Sequence, residues 1–164
     1  MQILTQLPDK PSVPPATRPR TQKEYGIPDN QAGLLSWEYV CQRMAEAQTY
    51  WVATVRPDGR PHAVPTWGIW YNEMLYFGGG AETHWSRNLT ANPQVAVHLE
   101  DGAEAVIFEG LVARITDAAV MAPIDDAYLA KYEMRHGPPV WVLQPRVVLA
   151  WTEYPLTATR WRFA

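Results

Sequence analysis

Apolar and polar positions change their period early in the chain, and each change predicts an element. Trp37, Val40, Cys41 and Met44 recur at i, i+3, i+4 and i+7, the spacing of one helical face. Ser36 stands where a hydroxyl caps a helix start, so the pattern predicts a helix from Ser36 to about Gln48. In Y-W-V-A-T-V the period drops to two, with Tyr50, Val52 and Thr54 on one face and Trp51, Ala53 and Val55 on the other. Pro57-Asp58-Gly59 is turn chemistry: proline presets φ and glycine tolerates a positive one. The chain returns as H-A-V-P-T-W-G-I-W, so Tyr50 to Trp70 reads as a hairpin. Pro65 has no N–H to give a ladder, which makes the returning strand an edge or a bulged strand. Gly68 admits a close approach to the backbone, by a neighbouring group or by a ligand lying across the strand.

After a turn at Tyr71-Asn72-Glu73, M-L-Y-F predicts a strand that runs into Gly78-Gly79-Gly80. A short helix follows from about Thr83 to Ala91 and stops at Asn92-Pro93. Strands over Val95–Glu100 and Ala105–Thr116 are joined by Asp101-Gly102. Residues 118–135 read as helical, with Met121, Ile124 and Tyr128 on one side, and Val140–Leu143 with Arg146–Tyr154 as a broken last strand. About six strands linked mostly as antiparallel hairpins, with no repeated β-α-β spacing, predict a mainly β fold. A small barrel or strongly curled sheet with short helices is the natural way to bury them. Residues 1–33 carry neither period; they read as a flexible or extended arm, or one that wraps a partner, set apart from a domain over 34–164.

Composition narrows the function classes. A net charge of −3 over 164 residues has no electrostatic pull on nucleic acid or on an anionic membrane. The one cysteine, Cys41, excludes an intrachain disulfide, reads as a buried inert thiol, and fits a reducing, cytoplasmic setting. No apolar leader is visible and no apolar run reaches the length of a membrane span. Eight Trp and eight Tyr against three Phe favour interfaces and ligand pockets. G-x-G-x-x-G, P-loop, G-x-S-x-G and H-E-x-x-H motifs are absent. His62, His84, His98 and His136 fall in different elements, so no metal site is assigned, and His98 reads as a hydrogen-bonded strand residue. Asp125 and Asp126 read as a solvated helix face.

The stretch T-H-W-S-R-N-L-T-A-N-P, Thr83 to Pro93, holds the most chemistry. A helix N-terminus following a glycine-rich strand end offers unpaired N–H groups and partial positive charge to a phosphate. Arg87 adds a forked cation and Thr83 a hydroxyl, with Arg56 and Arg60 near the hairpin turn. The plainer alternative is that Arg87 is a surface residue on a connector helix.

Four segments in order, A-T-V-R-P-D-G-R-P-H-A-V-P-T-W-G, L-Y-F-G-G-G, S-R-N-L-T-A-N-P-Q-V-A-V and I-F-E-G-L-V, resemble the pyridoxamine 5'-phosphate oxidase-like superfamily of flavin- and deazaflavin-dependent proteins. The resemblance runs from about Thr49 to Thr116, more weakly to Trp151, and does not cover the arm. It implies a split β-barrel of the FMN-binding type, a homodimer, and a cofactor in the groove between subunits. It would set the ring beside Val64, Pro65, Thr66 and Trp67, with Phe77 and Gly78 across. The phosphate would fall near Thr83, His84, Trp85, Arg87 and Asn88. Trp151, Arg160 and Trp161 would close the site from the second subunit. Many members carry Lys or Arg three residues before the Asn of R-N-L; here that residue is Trp85, which has no charge to offer.

The implied cofactor is FMN, with a deazaflavin coenzyme as alternative and haem as a further one. The implied function is hydride transfer from reduced cofactor to a small organic acceptor. The alternative is a non-catalytic flavin or haem carrier of the same fold. Tyr132, Lys131 and His62 are candidates to line the substrate side, and no residue is assigned as acid or base. A nucleic-acid-binding barrel has surface aromatics for it and the acidic balance against it.

Overall fold

A computed structural model describes residues 1–164. Helix α1, Trp37–Glu46, begins where expected, with the Ser36 hydroxyl accepting from the Tyr39 N–H at 3.3 Å. Val40 and Met44 are fully buried on its inner face, while Trp37 and Cys41 are half-buried. Burial pushes the Cys41 thiol up to about 11, so it is a poor nucleophile.

Strand β2, Tyr50–Val55, turns its Tyr50, Val52 and Thr54 face inward. Gly59 takes the turn at φ +85°, and β3, Pro61–Thr66, pairs back antiparallel. The returning segment does not continue as one strand. It breaks at Trp67, and β4, Gly68–Tyr71, leaves to pair with β5, Met74–Phe77. Strands β6 (Gln94–His98), β7 (Val106–Ile115) and β8 (Val140–Ala150) complete the order β3-β2-β6-β7-β8-β5-β4. The two ends of that ladder, β3 and β4, are consecutive in sequence and joined by Trp67 alone. A sheet whose ends meet in this way has to curl on itself. The result is a barrel with one unpaired seam, at Trp67.

The wall opposite the seam is continuous. β7 and β8 pair along their whole lengths, from Val106↔Ala150 to Ile115↔Val140. The expected break before Arg146 is a register shift at Glu109/Gly110, where Pro145 faces Gly110. The strand passes through its proline because Gly110 lets the Gln144 carbonyl come close: a Cβ there would lie 2.2 Å from that oxygen. Strand β9, Thr159–Arg162, adds to β8 and drives Trp161 into the core, edge-on to Trp37 at 5.5 Å.

Two helices close the ends. α2, His84–Ala91, buries Trp85, Ser86, Asn88 and Leu89 against β2 and β3. α3, Ala118–Tyr132, covers a second core cluster with Met121, Ile124 and Tyr128, as their spacing predicts. The arm lies along its own barrel. Strand β1, Ile3–Leu4, pairs parallel with the end of β7. Thr17 and Arg160 exchange backbone bonds at 2.8 and 2.7 Å, and the Arg18 guanidinium donates to the carbonyls of Asn30, Ala32, Leu156 and Ala158. No helix is long and apolar enough to cross a membrane.

Candidate functional site

The seam gathers most of the residues that the sequence singles out. β3 is an edge strand, as Pro65 requires, and it brings Val64, Pro65 and Thr66 to the gap beside Trp67. Phe77 ends β5 on the other side and Gly78 follows it; the Thr66 hydroxyl reaches across to the Gly78 carbonyl at 3.4 Å, but the Phe77 ring, expected beside a cofactor, is fully buried in the main core. α2 starts next to both. His84, at its first turn, sits with its ring 6.3 Å from that of His62 on β3, whose Nδ1 is buried without a partner.

The start of α2 is chemically open. Thr83 precedes it, but the Thr83 hydroxyl donates back to the Gly80 carbonyl at 2.9 Å and caps nothing in the helix. The first-turn N–H groups therefore have no intrahelical or side-chain partner. No acidic side chain stands in that turn, and Arg87 is exposed and in no ion pair. This combination is suited to an anion.

Other residues of the stretch point inward. Trp85 packs on Phe77 with ring centroids 5.9 Å apart and belongs to the main core cluster. The Asn88 amide donates to the Thr54 hydroxyl at 3.0 Å, fixing α2 to β2. Trp161 is 1 % exposed and packs with Trp37, Arg160 lies beside Thr17 on β9, and Trp151 donates its indole N–H to Gly102. Arg60 pairs with Asp58 at the hairpin turn. None of these faces the seam within the subunit.

The glycines at the strand end make room for side chains. A Cβ on Gly78 would lie 2.4 Å from the His136 ring, and one on Gly79 would lie 2.4 Å from the Trp85 ring. His136 is held there by Asp125, which the sequence pattern assigns to a solvated face. Its carboxylate accepts from the backbone N–H groups of His136 and Gly137 at 2.8 and 2.9 Å and pairs with Arg135 at 3.0 Å. The Gly137 N–H, with the other donors, holds that carboxyl below the ordinary aspartate value. Asp125 is thus a loop-fixing residue. A helical period cannot show this, because its partners come after the helix has ended.

Gly68 is approached by Tyr50, Lys131 and Tyr132. Its N–H donates to the Tyr132 hydroxyl at 3.0 Å, and Trp67 stacks flat on Tyr132. Burial lowers the Lys131 ammonium to about 8 and raises the hydroxyl of Tyr132.

The barrel's outer face matters as well. Register places Trp51, His98, Ile107 and Leu149 in one row across four strands, and Ala53, Ala96, Glu109 and Val147 in the next. All are half-buried and uncharged except Glu109, which is exposed. The rows run from the β3 edge at Pro65 to Arg160 and Arg162 on β9.

Comparison with known proteins gives a family match and a shared fold. Residues 38–163 match the family model described as pyridoxamine 5'-phosphate oxidase. A conserved hypothetical protein from Mycobacterium tuberculosis superposes with a TM-score of 0.62 at 19% identity, over 71% of this chain and 84% of that one. A heme binding protein from Mycobacterium smegmatis gives 0.60 at 19% identity, over 76% and 57%. An F420 reductase gives 0.50 at 27% identity, over 63% and 91%. Likeness at 19% identity speaks for the fold alone. A search of curated proteins finds no match.

Proposed function

The chain belongs to the pyridoxamine 5'-phosphate oxidase family, and from that premise we propose that it is an oxidoreductase holding FMN, or a deazaflavin coenzyme, at the Trp67 seam. The observation that carries this is the open start of α2: uncapped N–H groups, no acid, and an unpaired Arg87 beside an edge strand. These residues fit a phosphate without help from Trp85. Arg87 and the helix start would hold the phosphate, and His84 would border it. Val64, Pro65, Thr66 and Trp67 would lie along the ring, where Pro65 has no N–H to offer a further strand. A bound reduced flavin or deazaflavin supplies a hydride to a small organic acceptor. The protein's part is to hold the ring and keep water from it. The F420 reductase among the structural relatives supports the deazaflavin version.

The site is completed in this proposal by a second copy. The half-buried row Trp51, His98, Ile107 and Leu149 is suited to a two-fold interface, with the exposed Glu109 beside it, and such an interface would lay one subunit beside the other's β3 edge. Light scattering that finds a monomer with tightly bound cofactor would sink the shared site.

The direct test is FMN titration of the wild type and of Arg87→Ala. The variant should bind at least tenfold more weakly, the loss of roughly one charge-assisted hydrogen bond. Unchanged affinity would remove α2 from the site.

A haem carrier is the second reading. The neighbouring His62 and His84 rings favour it, together with the heme binding protein among the relatives. A haem absorption band that is identical in wild type and His84→Ala would dismiss this pair as its ligand.

A further inference from the structure

The last turn of α3 holds a polar knot that the proposed cofactor contacts do not use. Lys131 Nζ donates to the carbonyls of Ala47 at 2.6 Å and Gly68 at 3.0 Å, and to the Tyr50 hydroxyl at 3.1 Å. It also sits over the Tyr50 and Tyr132 rings, 5.0 and 5.1 Å from their centroids. The Tyr132 hydroxyl accepts from the Gly68 N–H at 3.0 Å, and its own proton has the carbonyls of Gly68 and Gln48 within reach, both at 2.8 Å. Gly68 is therefore gripped at its N–H by Tyr132 and at its carbonyl by both residues. Tyr50 fills the space where a side chain would stand, 3.0 Å from a built Cβ.

The residue before Gly68 is Trp67. Its ring lies 4.4 Å from that of Tyr132 with only 1° between the planes, yet Trp67 remains 44% exposed. One face is covered and the rest is open at the seam. A half-buried ammonium with no carboxylate partner is an expensive anchor for a helix, and an apolar side chain would serve that purpose at lower cost. What an apolar residue cannot do is grip a backbone carbonyl and fix the residue beside it.

We propose that Lys131 is a positioning residue: through Gly68 and Tyr132 it sets the plane of Trp67, whose open face is a platform for the flat ring of an aromatic ligand. The ligand half of this rests on the reading of the seam as a ring site. Stacking is worth most when the protein ring is already fixed, because little rotamer freedom is then lost on binding.

The test uses indole N–H resonances in the whole protein, with the Trp67 signal identified by its loss in Trp67→Phe. In ligand-free Lys131→Met the Trp67 signal should move while those of buried Trp141 and Trp161 stay, and Lys131→Arg should restore part of the shift. FMN should bind Lys131→Met up to about tenfold more weakly than wild type, the worth of a well-placed ring pair. A Trp67 signal that does not move overturns the proposal, as does one that moves with no change in FMN affinity. If wild type binds no FMN, the ring-site reading fails by itself, and the ligand-free spectra still decide whether Lys131 sets Trp67. Should Lys131→Met not fold, Tyr132→Phe carries the same test, since it keeps the stacked ring and removes the hydroxyl that holds Gly68.

Discussion

The β7–β8 wall and the Trp67 seam belong to one barrel but are held together by different means. The wall is a backbone ladder from Val106↔Ala150 to Ile115↔Val140, with Trp161 and Phe108 packed behind it. The seam has no ladder between β3 and β4. Side chains bridge it instead: Thr66 to the Gly78 carbonyl, and Tyr132 and Lys131 to Gly68. A ladder cannot open without losing several bonds at once, whereas side-chain bridges can adjust singly. The wall carries stability, and the seam is where the proposed ligand would enter at small cost.

The strongest way to break the contrast is at the wall. Trp161→Ala removes a large, fully buried ring and should cost about 3–5 kcal/mol, measured by denaturant unfolding, while leaving FMN affinity of the folded fraction intact. Gly110→Ala should follow at about 3 kcal/mol, the upper end of overpacking costs. Its Cβ meets the Gln144 carbonyl, which the ladder cannot move. Gly78→Ala meets a contact of 2.4 Å, but with the ring of the His136 side chain rather than with backbone. It should cost about 1 kcal/mol, and equal losses at the two glycines would erase the distinction between wall and seam. Arg87→Ala inverts the pattern: stability should change by less than about 0.5 kcal/mol, with the effect confined to binding.

A further effect is one of pH. Burial lowers Lys131 from 10.5 to about 8, so between those values the unfolded chain keeps a proton that the folded protein has released. Stability should therefore rise with pH from about 8 towards 10, and the rise should flatten in Lys131→Met. Above that window the buried tyrosines Tyr50, Tyr76 and Tyr128, all pushed up, act in the opposite sense. Chemical denaturation at fixed pH steps reads both.

Local signals were legible in the sequence, whereas the break of the strand at the seam and the continuity of β8 through Pro145 were not, for physical reasons. The Ser36 cap, the Met121–Ile124–Tyr128 spacing and the Pro65 edge are local signals, and each stands where its period or missing N–H puts it. Trp67 gave no such signal. The strand breaks there because Gly68 finds its partners in Phe77, Lys131 and Tyr132, distant residues that no local pattern encodes. Trp85 and Trp161 illustrate a second limit. Tryptophan suits a pocket wall and a core equally well, and both side chains are buried in the core. Asp125 shows a third, since its partners His136 and Gly137 lie in a loop that only the folded chain brings back to the helix.

The central claim is that the seam holds a flavin-type ring by its phosphate at the start of α2. The most direct test is the visible absorption spectrum of the purified protein after mixing with FMN, and separately with a deazaflavin coenzyme, followed by gel filtration. A cofactor band that travels with the protein in wild type and is lost in Arg87→Ala is the predicted result. Colourless wild-type protein after both treatments would contradict the claim and leave the Thr83–Pro93 stretch a structural connector.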